Sequence, residues 1–189
     1  MCFSFEVSIG TFLFSWISSL YLLTKKLKKK DQHTIIFVMI FSSMQLADAI
    51  LWYIKMKKNL INYIVTSFLI PFILSLQILY NVYVVNNENN QLLNVFILLS
   101  ICYIFIRMNG YSISVCDNFL SSPIWGGTEM KLWELIIFVL IILYPSWRTI
   151  SLTILIIFPL IYYFANGAYG SLWCAIATLF SIYNLYKHS

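Results

Sequence analysis

The sequence predicts an all-α integral membrane protein, a single bundle of about seven transmembrane helices joined by short loops. Three observations carry that prediction. The 189 residues are 61% hydrophobic and 10% charged, whereas a soluble domain carries roughly 25% charge. Apolar runs occur at 5–23, 34–54, 61–85, 92–108, 132–145, 149–165 and 168–186, and a spanning helix needs about 17 to 25 residues. These runs nearly exhaust the chain, and the longest connection, 109–131, is too short for a soluble domain. One membrane domain over 1–189 follows.

In the first run Ser4, Ser8, Thr11, Ser15 and Ser18 recur at helical spacing on one face. Small hydroxylated residues let helix backbones approach closely, which makes this a packing seam or, alternatively, a water-lined path. The run begins close to Met1 without a charged segment before it, which predicts an uncleaved first span. After it come Lys25, Lys26, Lys28, Lys29 and Lys30. A basic cluster beside a span reads as a cytoplasmic loop resting on anionic lipid, and it accounts for much of the +5 net charge without nucleic acid. The N-terminus is then outside and the C-terminus cytoplasmic. That topology places seven of the twelve basic residues inside and five outside, with Lys55, Lys57 and Lys58 on the unfavoured side.

The second run carries a polar stripe of Ser42, Gln45, Asp48, Trp52 and Lys55. An acid at membrane depth costs about 2.5 to 3.5 kcal/mol and requires a partner, a proton or a function. Asp48 lies four residues beyond the middle of its run, or roughly 6 Å towards the outside. The third run holds Pro71, Gln77 and Asn81, with Gln77 roughly 6 Å on the cytoplasmic side of centre. Gln77 and Asp48 need not touch, and Gln77 reads as glue between helices. The fourth run ends at Arg107 and Asn109; the fifth, opened by Glu134 and closed by Pro145, is too short to cross comfortably. Asn166 and Trp173 belong to the start of the seventh.

Placed on this topology, Arg107, Asn109, Glu134 and Asn166 all fall in the outer half, towards which Asp48 also leans. A polar pocket open to the outer side is the expectation, with Asp48 at its floor and Arg107 as its counter-charge. The alternative is that helix ends are simply polar. The four cysteines, Cys2, Cys102, Cys116 and Cys174, lack C-x-x-C spacing. On an oxidising side Cys116 can pair with Cys174 or with Cys2; on a reducing side all stay thiols.

Several activities are disfavoured. His33 and His188 are the two histidines, too few for a three-His zinc centre, so neither metal nor cofactor is expected. The last run has no lysine before Lys187, which excludes a buried retinal Schiff base, and no G-x-S-x-G, H-E-x-x-H or phosphate loop occurs. No catalytic set can be named, which leans against an enzyme.

MCFS at 1–4, SMQLADAILW at 43–52, Gln77 and GSLWC at 170–174 form a pattern. It resembles a group of uncharacterised multi-pass membrane proteins of large DNA viruses, with bacterial relatives, which begin MCFS or MCWS and carry an amide and an acid in the second span. In that group the acid is usually Glu, one methylene longer than Asp48. The resemblance implies a virion membrane or virus-modified host membrane and brings no assigned activity. Three functions compete: a non-enzymatic membrane component, alone or with copies of itself or other membrane proteins; a small transporter, channel or sensor built around Asp48; and a lipid-acting enzyme using Asp48 or Glu134.

Overall fold

In the computed structural model the apolar runs that the structure describes fold as helices. The structure describes residues 4–88, 90–117, 120–128, 131–144, 146, 150 and 170–188, with backbone alone for 115–117, 120–122, 132 and 170–176. The expected sixth span, together with Cys2 and Asn166, lies outside the described residues.

Helix α1, Phe5–Leu23, starts at Ser4, whose hydroxyl accepts the Val7 N–H at 3.3 Å. Its serine face is a seam: Ser8, Ser15, Ser18 and Ser19 are buried, and α1 packs on α2, Lys29–Tyr53, and on α6, Gly170–His188. Helix α2 begins at Lys29, inside the basic cluster, rather than at the apolar boundary near 34. No Gly or Pro interrupts 29–34, so hydropathy marks where lipid begins and not where the helix does.

Helix α3, Leu60–Val85, is apolar and continuous but not uniformly α. A π turn over Val65–Leu69 immediately precedes Pro71, with the Ile70 N–H reaching back to Val65 O. Proline lacks the N–H that would bond Ser67 O, and its ring crowds that carbonyl, so widening one turn relieves the conflict without breaking the helix. A second π stretch, Tyr80–Val85, closes the helix. There Asn81 Nδ2 reaches across to Ile142 O at 2.9 Å and Tyr144 O at 2.8 Å. These carbonyls end α5, Leu132–Leu143, and carbonyls at a helix end have no partner in their own helix. The joining expected of Gln77 is thus made by Asn81, one turn on along the same face. At 12 residues α5 reaches only about 18 Å, as its short apolar run implied.

Helix α4, Gln91–Arg107, buries Ile97, Ser100 and Ile104 and exposes most of the rest, including Leu99 at 63%. Contrary to the expectation of short loops between helices alone, 109–131 contains an antiparallel hairpin, β1 (Ile113–Asp117) with β2 (Leu120–Ile124), in which Ile113 faces Ile124. A 3₁₀ turn, Trp125–Gly127, follows it. The bundle thus has a hairpin end and a lysine end.

Among the described residues α1, α2 and α3 are each long and apolar enough to cross a membrane. Polarity is inverted relative to a water-soluble bundle: Ser42, Gln45, Asp48, Thr66 and Gln77 are completely buried, while Ile17, Phe68, Phe72 and Leu98 are exposed. Contiguous exposed apolar faces of this kind suit contact with a bilayer.

At the lysine end α6 is clipped to the α1–α2 connection. Lys187 Nζ lies 2.7 Å from Asp31 Oδ1 and His188 Nε2 3.7 Å from it, while Lys25 Nζ donates to His188 O at 2.9 Å. Lys25 also sits 4.9 Å above the Tyr21 ring, so this member of the basic cluster is engaged by protein, whereas Lys29 and Lys30 remain exposed.

Two outcomes follow. Asn81→Leu leaves the Ile142 and Tyr144 carbonyls without their donor and should destabilise the fold by about 1–3 kcal/mol, measured by reversible unfolding in mixed micelles. Asp31 lies outside the apolar runs, and the hydrogen bond from Lys187 holds its carboxyl below the usual value. A carboxyl lowered in the folded state stabilises above its unfolded pKa, about 3.9, and loses that contribution as pH falls through the folded value. A spin label at Tyr186 should therefore gain mobility below about pH 4 in the native chain, and in Asp31→Asn it should be mobile at neutral pH as well.

Candidate functional site

The long connection is fastened to the bundle by α3. Asn59 caps that helix by accepting the Asn62 N–H at 2.9 Å, which sets Asn62 and, one turn on, Thr66 on its inward face. Ser112 is then held at three points. Its N–H donates to Asn62 Oδ1 at 2.8 Å, its carbonyl accepts from Asn62 Nδ2 at 2.9 Å, and its hydroxyl lies 2.7 Å from Thr66 Oγ1. Ser67 grips the neighbouring Gly110, accepting its N–H at 3.0 Å and donating to its carbonyl at 3.2 Å. Ser112, Asn62 and Thr66 are completely buried, where hydrogen bonds are strong and unmade ones costly.

This fastening delivers Trp125. The indole is 8% exposed, and its Nε1–H donates to Asp48 Oδ1 at 2.9 Å. Asp48 itself is completely buried on α2, above Gln45 and Ser42 in the stripe. Gln45 Nε2 lies 3.5 Å from Thr178 Oγ1 of α6, while Trp52 is half-buried against the core and Lys55 points out.

Beside Trp125, Gly126 has φ of 72°, and a Cβ there would stand 2.7 Å from Arg107 O. Only glycine permits that approach. The expected counter-charge is redirected accordingly: Arg107 Nε lies 3.3 Å from Glu134 Oε1, and its Nη2 donates to Thr128 O at 3.1 Å. Glu134 also takes the Tyr103 hydroxyl at 3.3 Å and the Lys131 N–H at 2.8 Å, which satisfies the start of α5. Arg107 thus couples α4 to α5 and the loop, and Asp48 takes an indole. A short glycine link joins the two pairs.

Of the other sequence candidates, Asn109 is exposed and accepts from the Tyr63 hydroxyl at 3.2 Å. Gln77 is remote from this cluster, three residues from Tyr80, whose hydroxyl meets His33 Nδ1 at 3.3 Å near the lysine end. Its amide is completely buried with no hydrogen-bond partner among the described residues. Cys116 falls in β1 and Trp173 and Cys174 in α6, placed by backbone alone. Trp125, Asn62, Thr66 and Ser112 were not singled out by sequence reasoning; a tryptophan followed by two glycines inside a polar connection was the available signal.

Among the described residues no three His, Cys, Asp or Glu side chains converge as a metal site would require. The site offers an acid, an indole, amides and hydroxyls. Compared with protein-family models, curated proteins and solved structures, the chain matches none.

Trp125→Phe keeps the ring and removes the donor. We expect a loss of about 1–3 kcal/mol, and a coupling of similar size with Asp48→Leu in a double-mutant cycle of micellar unfolding, because each single variant removes the same buried hydrogen bond.

Proposed function

We propose that this chain is a non-enzymatic multi-pass membrane protein whose occluded acid, Asp48, binds and releases a proton or small cation beneath Trp125. The single observation behind this reading is the Trp125–Asp48 hydrogen bond. A completely buried carboxylate within an apolar helix is the group most expensive to keep at membrane depth. One of the groups that cover it, Trp125, comes from the long connection, so movement of that connection would uncover one side of the acid. All seven apolar runs lie in the bilayer in this reading, with the N-terminus and hairpin outside. The basic cluster and the C-terminus face the cytoplasm, as the lysine distribution favours. The resemblance in the first, second and last runs supports a viral or virus-modified membrane as its setting.

A second reading is a purely structural membrane component, in which Asp48 and Trp125 only hold the bundle together. The Asn62–Thr66–Ser112 cluster favours it, because each of its side chains is engaged by protein groups.

Asp48→Asn separates the two. It preserves a hydrogen-bonding side chain that accepts from Trp125 but cannot change charge. In proteoliposomes we expect the variant to insert and fold while proton or cation uptake falls by at least about tenfold, and Asp48→Glu to retain part of it. Undiminished uptake from the Asn variant would sink the acid-site reading in favour of the structural one.

A further inference from the structure

We infer that the ion handled at Asp48 is a proton, and that it passes along a polar lane between α1, α2 and α6 to the Asp31–His188 cluster at the lysine end. This rests on the reading of Asp48 given above.

Three contacts align the helices in depth. The Phe5 and Tyr53 rings, 5.7 Å apart, join α1 to α2 at the hairpin end; Gln45 meets Thr178 of α6 in the middle; Lys187 meets Asp31 at the other end. Between these levels every helix contributes buried polar groups. Helix α2 supplies Asp48, Gln45 and Ser42; α1 supplies Ser8, Ser15, Ser18 and Ser19; α6 supplies the half-buried Thr178 and the buried Ser181 and Asn184, followed by His188. Along α6 these lie three or four residues apart, or about 4.5 to 6 Å, a gap that one water bridges. The outward side of α6 is apolar, with Leu179, Ile182 and Tyr183 exposed.

Hydroxyls also pack helices, so the serines alone would establish nothing. The second observation is that Ser8 Oγ and Ser15 Oγ are buried, on a helix that packs on α2 and α6, and have no hydrogen-bond partner among the described residues. A hydroxyl without a partner in an apolar layer retains the desolvation cost of its donor. Water or a passing proton in the lane removes that cost.

Among the described residues the lane has a carboxylate at each end, Asp48 and Asp31, and none between. A metal cation binds several oxygens at once, carboxylates prominent among them, whereas a proton needs one base and a relay. In the transfer, the Asp48 carboxylate gains a proton from the hairpin side. It gives that proton to the lane, where each hydroxyl or water accepts one on a lone pair and releases its own. The Asp31 carboxylate or the His188 ring then takes the last proton and passes it to solvent. No covalent framework changes, and one proton crosses. Around the lane, Trp125 faces Asp48; Arg107 and Glu134 flank Trp125; Lys25 and Lys187 accompany Asp31 and His188.

The test uses the full chain in vesicles loaded with a pH-sensitive dye, with the potential clamped by valinomycin. Thr178→Val is isosteric and Ser15→Ala removes only an oxygen. Each should slow proton flux by roughly tenfold while leaving chromatographic behaviour and tryptophan emission unchanged. Thr178→Ser restores a hydroxyl and should retain flux. Ser100→Ala, which removes a buried hydroxyl on α4 away from the lane, should have no effect. Loss of flux in Asp48→Asn with normal flux in both lane variants would overturn the lane and keep the acid site. Normal flux in Asp48→Asn would overturn the acid site itself. Sodium or potassium uptake by the native chain without proton flux would overturn the proton assignment, and absence of proton flux at every imposed potential would overturn the whole inference.

Discussion

A single hydrogen bond, from the Trp125 indole to the Asp48 carboxylate, is the constraint around which the hairpin end is organised. A carboxylate in an apolar layer is held only with a partner, and here the partner sits 77 residues away in the chain. Delivering it requires that the connection after α4 turn back into the bundle. That in turn requires Ser112 to be bonded through N–H, carbonyl and hydroxyl, and Gly110 to be bonded by Ser67. It also requires a residue without a Cβ at 126, because the backbone there runs against Arg107 O.

Helix α3 is the platform for these demands. Pro71 could have broken it. The π turn before the proline keeps the helix continuous while changing the direction of the residues that precede it, among them Thr66 and Ser67. Both residues are used to hold the connection, so the proline and the site are linked through helix geometry. The same helix secures the other end of the bundle with Asn81, which satisfies the last carbonyls of α5. Side chains cap what the backbone of a short helix leaves open.

The helices were legible because their signal is local. A run of apolar residues long enough to cross a bilayer declares itself within its own window, and the serine face of α1 and the stripe of α2 follow from spacing alone. Ser8, Ser15 and Ser18 of the first face and Ser42, Gln45 and Asp48 of the second are buried. The site was half legible. Asp48 stood out as an acid in an apolar run, and Arg107 and Glu134, expected near one another, form an ion pair. Their pairing was not readable, since charge complementarity allowed Arg107 to serve either acid and the indole carried no charge to announce itself. Trp125 and Ser112 sit in a connection whose local pattern shows only polarity, and Asn62 sits at the edge of the third apolar run, where its spacing alone names no partner. Their meaning comes from contacts 46 to 77 residues apart. Gln77 and Asn81 illustrate the same limit within a single face: Gln77 read as glue, but it is Asn81 that meets carbonyls across the helix seam.

The inverted polarity is compatible with helices packed in lipid. Apolar side chains gain nothing by turning inward when the surroundings are as apolar as they are, so Phe68, Phe72 and Leu98 face out at no cost. Association then depends on close backbone packing, which the serines of α1 permit, and on hydrogen bonds between helices. Such bonds are modest individually, about 0.6 kcal/mol on average in a membrane, so the bundle needs many of them, and each polar group it buries must find a partner. The Asn62 and Glu134 networks meet that requirement within the protein. Ser8, Ser15 and Gln77 do not among the described residues, and the two serines share a helix that packs against the acid's own helix. Structural need accounts for the satisfied groups. It leaves Ser8 and Ser15 without a structural account, and they are the groups on which the inferred relay rests.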